Sequence, residues 1–257
     1  MNEQAREDRT RLILLDDQAL FRASLGRLLA SEPSLEVAGE CGNSAEALAI
    51  LGASRVDVIL LDFEHAIESG DGFMSAARRH GYEGRFLILA GSADARNSAM
   101  AIRLGASGIF LKSEPPDRLM RAITLVANGA VWLDQRIIRL LADQSVDRFP
   151  QSDDRGSANL LTEREQKVLL GILGGLTNQK IGCNLSISVG SVKTSVQQLF
   201  RKAGVRTRSQ LVRVALEGSL ASSKGLMRRI ADSTTAAEPL DAGKPRHQVS
   251  YKVSTLR

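Results

Sequence analysis

The stretch Val56-Asp57-Val58-Ile59-Leu60-Leu61-Asp62 constrains this chain more than any other. A short, β-branched, nearly unbroken apolar run reads as a strand buried on both faces, the kind found in parallel α/β sheets. Asp62 stands where that strand runs out. Open α/β sheets bind ligands beyond the carboxyl ends of their strands, so a carboxylate there is placed for chemistry. Two further strand ends supply partners. Leu12–Leu15 runs into Asp16 and Asp17, and Gly108–Leu111 runs into Lys112. Three carboxylates and one ammonium are therefore expected at a single sheet edge.

Around that strand the first half alternates. Strands are expected at Leu12–Leu15, Leu35–Ala38, Val56–Asp62, Phe86–Ala90 and Gly108–Leu111. The helices between them are Gln18–Ala30, Ser44–Leu51 with Ser44 as N-cap, about Gly72–Arg79 and Ala95–Leu104. A last helix opens at Pro115-Pro116 and reaches about Asn128. Five strands alternating with five helices imply an α/β fold, a doubly wound five-stranded parallel sheet with helices on both faces. Residues 1–10 read as a flexible start, 11–128 as this α/β domain and 129–159 as a linker that begins with a helix over Gln135–Ala142. Residues 160–219 form a small all-α domain, and 220–257 a disordered basic tail.

At 257 residues the chain is long enough for two ordinary domains with real cores. It has no apolar run of the ~18 residues that a membrane span needs, and its polar start lacks a signal peptide's apolar core. Cys41 and Cys183 are isolated, and His65, His80 and His247 lack ligand spacing, so neither a disulfide framework nor a zinc site is expected. These features predict a soluble cytoplasmic protein with no membrane partner.

Charge separates the halves. Between Leu160 and Ser219 nine cations face three anions, out of a net charge of +5 for the whole chain. A small basic unit suggests a polyanion partner. The same segment carries helix-start signals at Thr162 with Glu165, Thr177, Ser188, and Thr207 with Gln210, so it reads as four helices. In the third, Val192, Val196, Leu199 and Ala203 share one face, which leaves Lys193, Thr194, Gln197 and Arg201 on the other. A helix with donors on its exposed face, reached by a short turn from another helix, is a helix-turn-helix. Lys193, Thr194 and Gln197 are expected at base edges. Lys180, Lys202, Arg206 and Arg208 are expected at the phosphates of double-stranded DNA, and Arg201 on the DNA-facing side of the helix. Gly171 inside the first of the four helices is an oddity, costing ~1 kcal/mol relative to alanine.

The acidic edge suits the holding of a hard divalent cation while Asp62 attacks a phosphoryl group, with Lys112 pairing a phosphoryl oxygen. Leu-Leu-Asp16-Asp17, Ile-Leu-Leu-Asp62 and Phe-Leu-Lys112 resemble the receiver domain of bacterial two-component response regulators. That resemblance implies Asp62 as phosphoacceptor, Asp16, Asp17 and the Glu64 backbone carbonyl as further ligands of Mg2+, and Lys112 as the phosphoryl partner. Leu161-Thr162-Glu163-Arg164-Glu165, Gly175–Ile181 and Ser191-Val192-Lys193 resemble the LuxR-type DNA-binding domain, and the pair resembles the NarL/FixJ subfamily. The resemblance implies a sensor histidine kinase, promoter DNA and a homodimer paired through the last helix. The chain departs from the pattern at Ala90, where the family places Thr or Ser, at Ile109, where it places an aromatic, and at Ser195, where His is common. Two other readings follow: a phosphorylation-independent regulator whose receiver is a dimerisation or ligand-sensing module, and an aspartate-nucleophile phosphatase. The regulator, not an enzyme, is the primary expectation.

Overall fold

In the computed structural model residues 9–63, 72–134, 136–138, 140–141 and 161–216 are described. Strands β1 (Thr10–Leu15), β2 (Leu35–Cys41), β3 (Val58–Asp62), β4 (Arg85–Ala90), β5 (Gly108–Leu111) and β6 (Trp132–Leu133) form one sheet in the order β2-β1-β3-β4-β5-β6. Every pairing is parallel. Helices α1 (Ala19–Ala30), α2 (Ser44–Ala53), α3 (Phe73–Arg79), α4 (Ala95–Leu104) and α5 (Pro116–Ala127) connect the strands.

The apolar runs lack polar alternation because both faces of the sheet are covered. Ile13, Leu15, Ile59, Leu61, Ile88 and Ile109 pack on one side with Phe73, Met74, Ala101 and Ile102 of α3 and α4. Leu12, Leu14, Val58, Leu60, Leu87 and Phe110 pack on the other with Leu25 and Leu29 of α1 and Leu119, Ile123 and Val126 of α5. Successive strand residues thus feed opposite cores, as a two-residue period requires. Each fully buried aliphatic side chain stabilises the fold by about 1.5–3 kcal/mol.

Three expectations are corrected. The sheet has six strands rather than five, because Gly129 turns the chain after α5 and Trp132 and Leu133 pair with Gly108 and Ile109. Ile137 and Leu141 then bury in the sheet's core, and the described residues of the expected connecting helix are helical. The α/β unit therefore runs past Asn128. The cap of α2 is Asn43 and not Ser44: its side chain accepts from Glu46 N at 3.0 Å, while Glu46 accepts from Gly42 N at 2.8 Å. β2 also extends to Cys41, whose carbonyl accepts from Asp16 N.

The second half folds as expected into α6 (Glu163–Leu173), α7 (Asn178–Leu185), α8 (Val189–Ala203) and α9 (Arg208–Leu216), around Val168, Ile172, Ile181, Val192, Leu199 and Leu211. Thr162 and Glu165 form the full capping box, and Thr207 with Gln210 repeats it. Gly171 has a packing reason. A Cβ there would stand 2.7 Å from Ile181 Cγ1, so glycine lets α6 and α7 approach. The turn between α7 and α8 similarly needs Gly182, whose Cβ would meet the Ile187 carbonyl at 2.8 Å.

The halves touch. Val131 joins the helical core, Leu216 packs on the sheet's core, and Gln210 Nε2 donates to the Arg103 carbonyl at 2.8 Å.

Candidate functional site

β1, β3 and β5 end side by side, and their last residues deliver the site. Asp16 follows β1 and is fully buried, Asp62 closes β3 and is 5% exposed, and Lys112 follows β5. Lys112 Nζ lies 2.8 Å from Asp16 Oδ2 and 2.6 Å from Asp62 Oδ1. It also sits 4.2 Å from the centre of the Phe21 ring, a cation–π contact. Burial alone pulls the ammonium's pKa down, but its hydrogen bonds to Asp16 and Asp62 outweigh that and leave it raised. The group is a firm cation between two acids. The backbone of Lys112 donates to the Ala90 carbonyl at 2.8 Å, which ties the lysine to the end of β4.

Asp17 is exposed and stands outside this ammonium-bridged pair. Among the described residues no group of three or more His, Cys, Asp or Glu side chains is arranged to hold a metal ion. The expected convergence of three carboxylates is thus corrected to two, with the third at the rim. Glu64 lies outside the described residues. The donor set, carboxylate oxygen without sulfur or imidazole, still has the chemistry that a hard cation such as Mg2+ prefers.

A cavity of about 400 Å³ opens beside the pair, lined by Gln18, Asp62, Ala90, Ser98, Ile109 and Lys112 among others. Ala90 and Ile109 are both buried in the sheet's core at this edge. Neither side chain carries a donor, so the wall nearest Asp62 is apolar on that side.

In the helical half, Lys193, Gln197 and Arg201 of α8 are exposed, as are Lys180 and Arg206. Thr194 is exposed too, with its hydroxyl donated to the Gly190 carbonyl at 3.1 Å. This leaves its methyl for apolar contact. Ser195 is buried and bonds the Ser191 carbonyl. Two expected phosphate contacts are corrected. Lys202 Nζ bonds Glu165 Oε2 at 2.6 Å, because Glu165 is only 2% exposed and needs a cation. Arg208 Nη1 bonds Asn178 Oδ1 at 2.7 Å and Nη2 bonds the Leu176 carbonyl, which ties α9 to the start of α7. Burial, with Arg85 nearby, lowers its pKa to about 10. Sequence reasoning places both by charge. Nothing in a linear pattern tells a lysine beside a buried glutamate from one beside solvent. Phe21 reads in the sequence only as an apolar helix position, and Ser98 carries no signal at all.

Residues 12–124 match the family model described as response regulator receiver domain, and residues 159–215 match bacterial regulatory proteins, luxR family. The nitrate/nitrite response regulator protein NarP of Escherichia coli is 35% identical over 77% of this chain and 90% of its own. The chain is a LuxR-type response regulator. A second relative of this regulator, the DNA-binding transcriptional activator DevR/DosR of Mycobacterium tuberculosis, is 32% identical over 80% of this chain and 94% of its own. The RcsB response regulator of Salmonella typhimurium, a solved structure, aligns at 20% identity and a TM-score of 0.47 over 80% of this chain and 97% of its own. The two family models between them account for both halves of the response regulator. Its family acts in two-component transcription regulation through DNA binding. Among its described residues no helix is long and apolar enough to cross a membrane.

Proposed function

We propose that this response regulator accepts a phosphoryl group on Asp62 from a sensor histidine kinase and that the modified form binds promoter DNA as a homodimer. The observation that carries the reading is Lys112 Nζ held between Asp16 and Asp62, 2.8 and 2.6 Å away, at the carboxyl edge of the sheet. An Asp62 carboxylate oxygen attacks the phosphorus of a phosphohistidine. The new P–O bond forms as the P–N bond breaks, and the departing imidazole nitrogen keeps the electron pair. Lys112 is already charged and partly buried beside the acceptor, so it stabilises the added negative charge from a position held in advance. Asp16 and Asp62 would hold Mg2+, which when bound would neutralise phosphoryl charge.

On the DNA side, Lys193, Thr194 and Gln197 read base edges in the major groove. Arg201, Lys180 and Arg206 take phosphates. Lys202 and Arg208 act inside the domain and hold the reading helix and α9 in place. Phosphorylation shifts the balance between a form with α9 docked on α4 and one with α9 free to pair with a second copy. Incubating the full chain with acetyl phosphate and Mg2+ and measuring intact mass tests this. A phosphoryl adduct on the native chain, absent from Asp62→Ala, is expected; an unmodified native mass would sink the reading.

A second reading has one observation in its favour. Ala90 and Ile109, which line the cavity beside Asp62, supply neither a hydroxyl at the end of β4 nor an aromatic ring on β5. A regulator whose receiver serves as a constitutive dimerisation or ligand-sensing module would need neither. It predicts equal DNA affinity for the native chain and Asp62→Ala under phosphorylating conditions.

A further inference from the structure

We infer that the Ser98 hydroxyl is the group that hydrogen-bonds a phosphoryl oxygen on Asp62, and that α4 thereby carries the signal to the DNA-binding half. This rests on the phosphoryl acceptance proposed above and supplies the hydroxyl that Ala90 lacks.

Six polar or charged residues are buried among the described ones: Asp16, Asp62, Ser98, Glu165, Ser195 and Ser209. Five of them have partners. Asp16 and Asp62 share Lys112, Glu165 holds Lys202 and its cap, Ser195 donates to Ser191, and Ser209 meets Thr207. Ser98 is the exception. The residue is 4% exposed, and its hydroxyl makes no hydrogen bond among the described residues. It does not return to the carbonyl four residues back, as Thr194 and Ser195 do on α8. The hydroxyl is not among the fully enclosed unpaired polar atoms of the described residues, so it is a donor left available on a largely buried side chain.

Its surroundings indicate for which acceptor. Ser98 lines the same cavity as Asp62 and Lys112, and Ala90 and Ile109 line it with them. Neither of these two side chains offers a hydrogen-bond donor to the cavity. A phosphoryl group adds acceptor oxygens to this cavity. Lys112 is positioned for one, and an O–H donor elsewhere on the wall suits another. Ser92 also lines the cavity but belongs to the more open loop after β4, whereas Ser98 is held on α4.

The consequence lies at the far end of α4. Arg103 is one residue from the end of the helix, and its carbonyl accepts from Gln210 Nε2 of α9 at 2.8 Å. A helix drawn toward Asp62 by Ser98 shifts that carbonyl against α9. One rigid element thus links the acceptor to the docking contact, without a strand-end hydroxyl or a swinging aromatic.

The test uses the full chain with acetyl phosphate and Mg2+, read by intact mass and by hydrogen exchange of the α9 segment Arg208–Leu216. In the native chain, phosphoryl uptake is expected to speed exchange in that segment. Ser98→Ala is expected to take up phosphoryl normally yet lose about tenfold of that response, the scale of one hydrogen bond to a charged group. Ser98→Thr is expected to keep the response, and Ser98→Ala with Ala90→Thr to regain it by placing a hydroxyl at the strand end. A full response in Ser98→Ala overturns the proposal. Should Ser98→Ala fail to fold by circular dichroism, Ser98→Cys, isosteric and a much weaker donor, takes its place with the same two outcomes. If the native chain gains phosphoryl but α9 exchange stays unchanged, this proposal alone falls. If it gains none, the underlying reading falls with it.

Discussion

The side-chain amide of Gln210 donates to the backbone carbonyl of Arg103, a residue 107 positions earlier in the chain. The same side chain accepts through Oε1 from Thr207 N at 3.2 Å, where it completes the cap of α9. One glutamine therefore starts a helix and fastens that helix to the other half of the molecule. Gln210→Glu separates the two roles, because a carboxylate still accepts for the cap but no longer donates to Arg103. Loss of one such hydrogen bond is worth about 1 kcal/mol. Self-association of the unphosphorylated chain through α9 is expected to rise roughly fivefold, the equivalent of that energy, as measured by analytical ultracentrifugation.

Lys112→Met leaves Asp16 and Asp62 buried side by side without their cation. Breaking a buried pair from one side costs about 3 kcal/mol. Denaturant unfolding of the α/β half should report that loss, and intact mass should show phosphoryl uptake strongly reduced as well. Asp62→Asn relieves the repulsion instead, so it is expected to abolish uptake with little loss of stability.

The Glu165–Lys202 pair makes the helical half acid-sensitive. Burial pushes the Glu165 carboxyl up, but Lys202 and the two Thr162 contacts outweigh it and hold its pKa below the ordinary 4.5. A depressed carboxylate pKa gives stability that is complete above the unfolded value and lost as pH falls through the folded one. Melting of the DNA-binding half is therefore expected to be flat at neutral pH and to decline below about pH 4.5. Lys202→Met should flatten that acid limb. At neutral pH it should cost about 1–3 kcal/mol, discounted because Lys202 is partly exposed.

Gly171→Ala runs against helix propensity. Alanine is the better helix former by ~1 kcal/mol, yet its methyl would stand 2.7 Å from Ile181 Cγ1. A net destabilisation of about 1–2 kcal/mol is expected from overpacking, partly relieved by Ile181→Val and read from chemical denaturation.

Base-reading and phosphate contacts separate by salt. Gln197→Ala and Lys193→Ala should narrow the gap between specific and random duplexes by about 1–3 kcal/mol each. Lys180→Ala and Arg206→Ala should weaken all duplexes alike and lower the salt slope by about 1 each. Lys202→Ala and Arg208→Ala should act through stability, leaving the slope of the folded fraction unchanged. Fluorescence anisotropy across a salt series distinguishes these groups.

The amino-acid sequence by itself determined the local pattern of this protein. Unbroken apolar runs such as Val58–Leu61 suit strands between two helical layers, and T-x-x-E at Thr162 marks a helix start from local chemistry alone. The apolar face of α8 follows from three- and four-residue spacing, which also points Lys193 and Gln197 outward. Strand ends carrying Asp16, Asp62 and Lys112 were legible for the same reason, since residues at the ends of neighbouring parallel strands share an edge. Tertiary structure alone decided the fate of charges and hydroxyls whose partners are distant in sequence. Lys202 was taken inward by Glu165, 37 residues away, and Arg208 by Leu176, 32 away. Asp17 was left at the rim while its neighbour Asp16 was buried, and Ser98 was buried beside the acceptor. A sixth strand formed because β5 offered an open edge to Trp132 and Leu133. Backbone periodicity is a property of neighbours along the chain, whereas the partner of a buried polar group depends on what the rest of the fold packs against it.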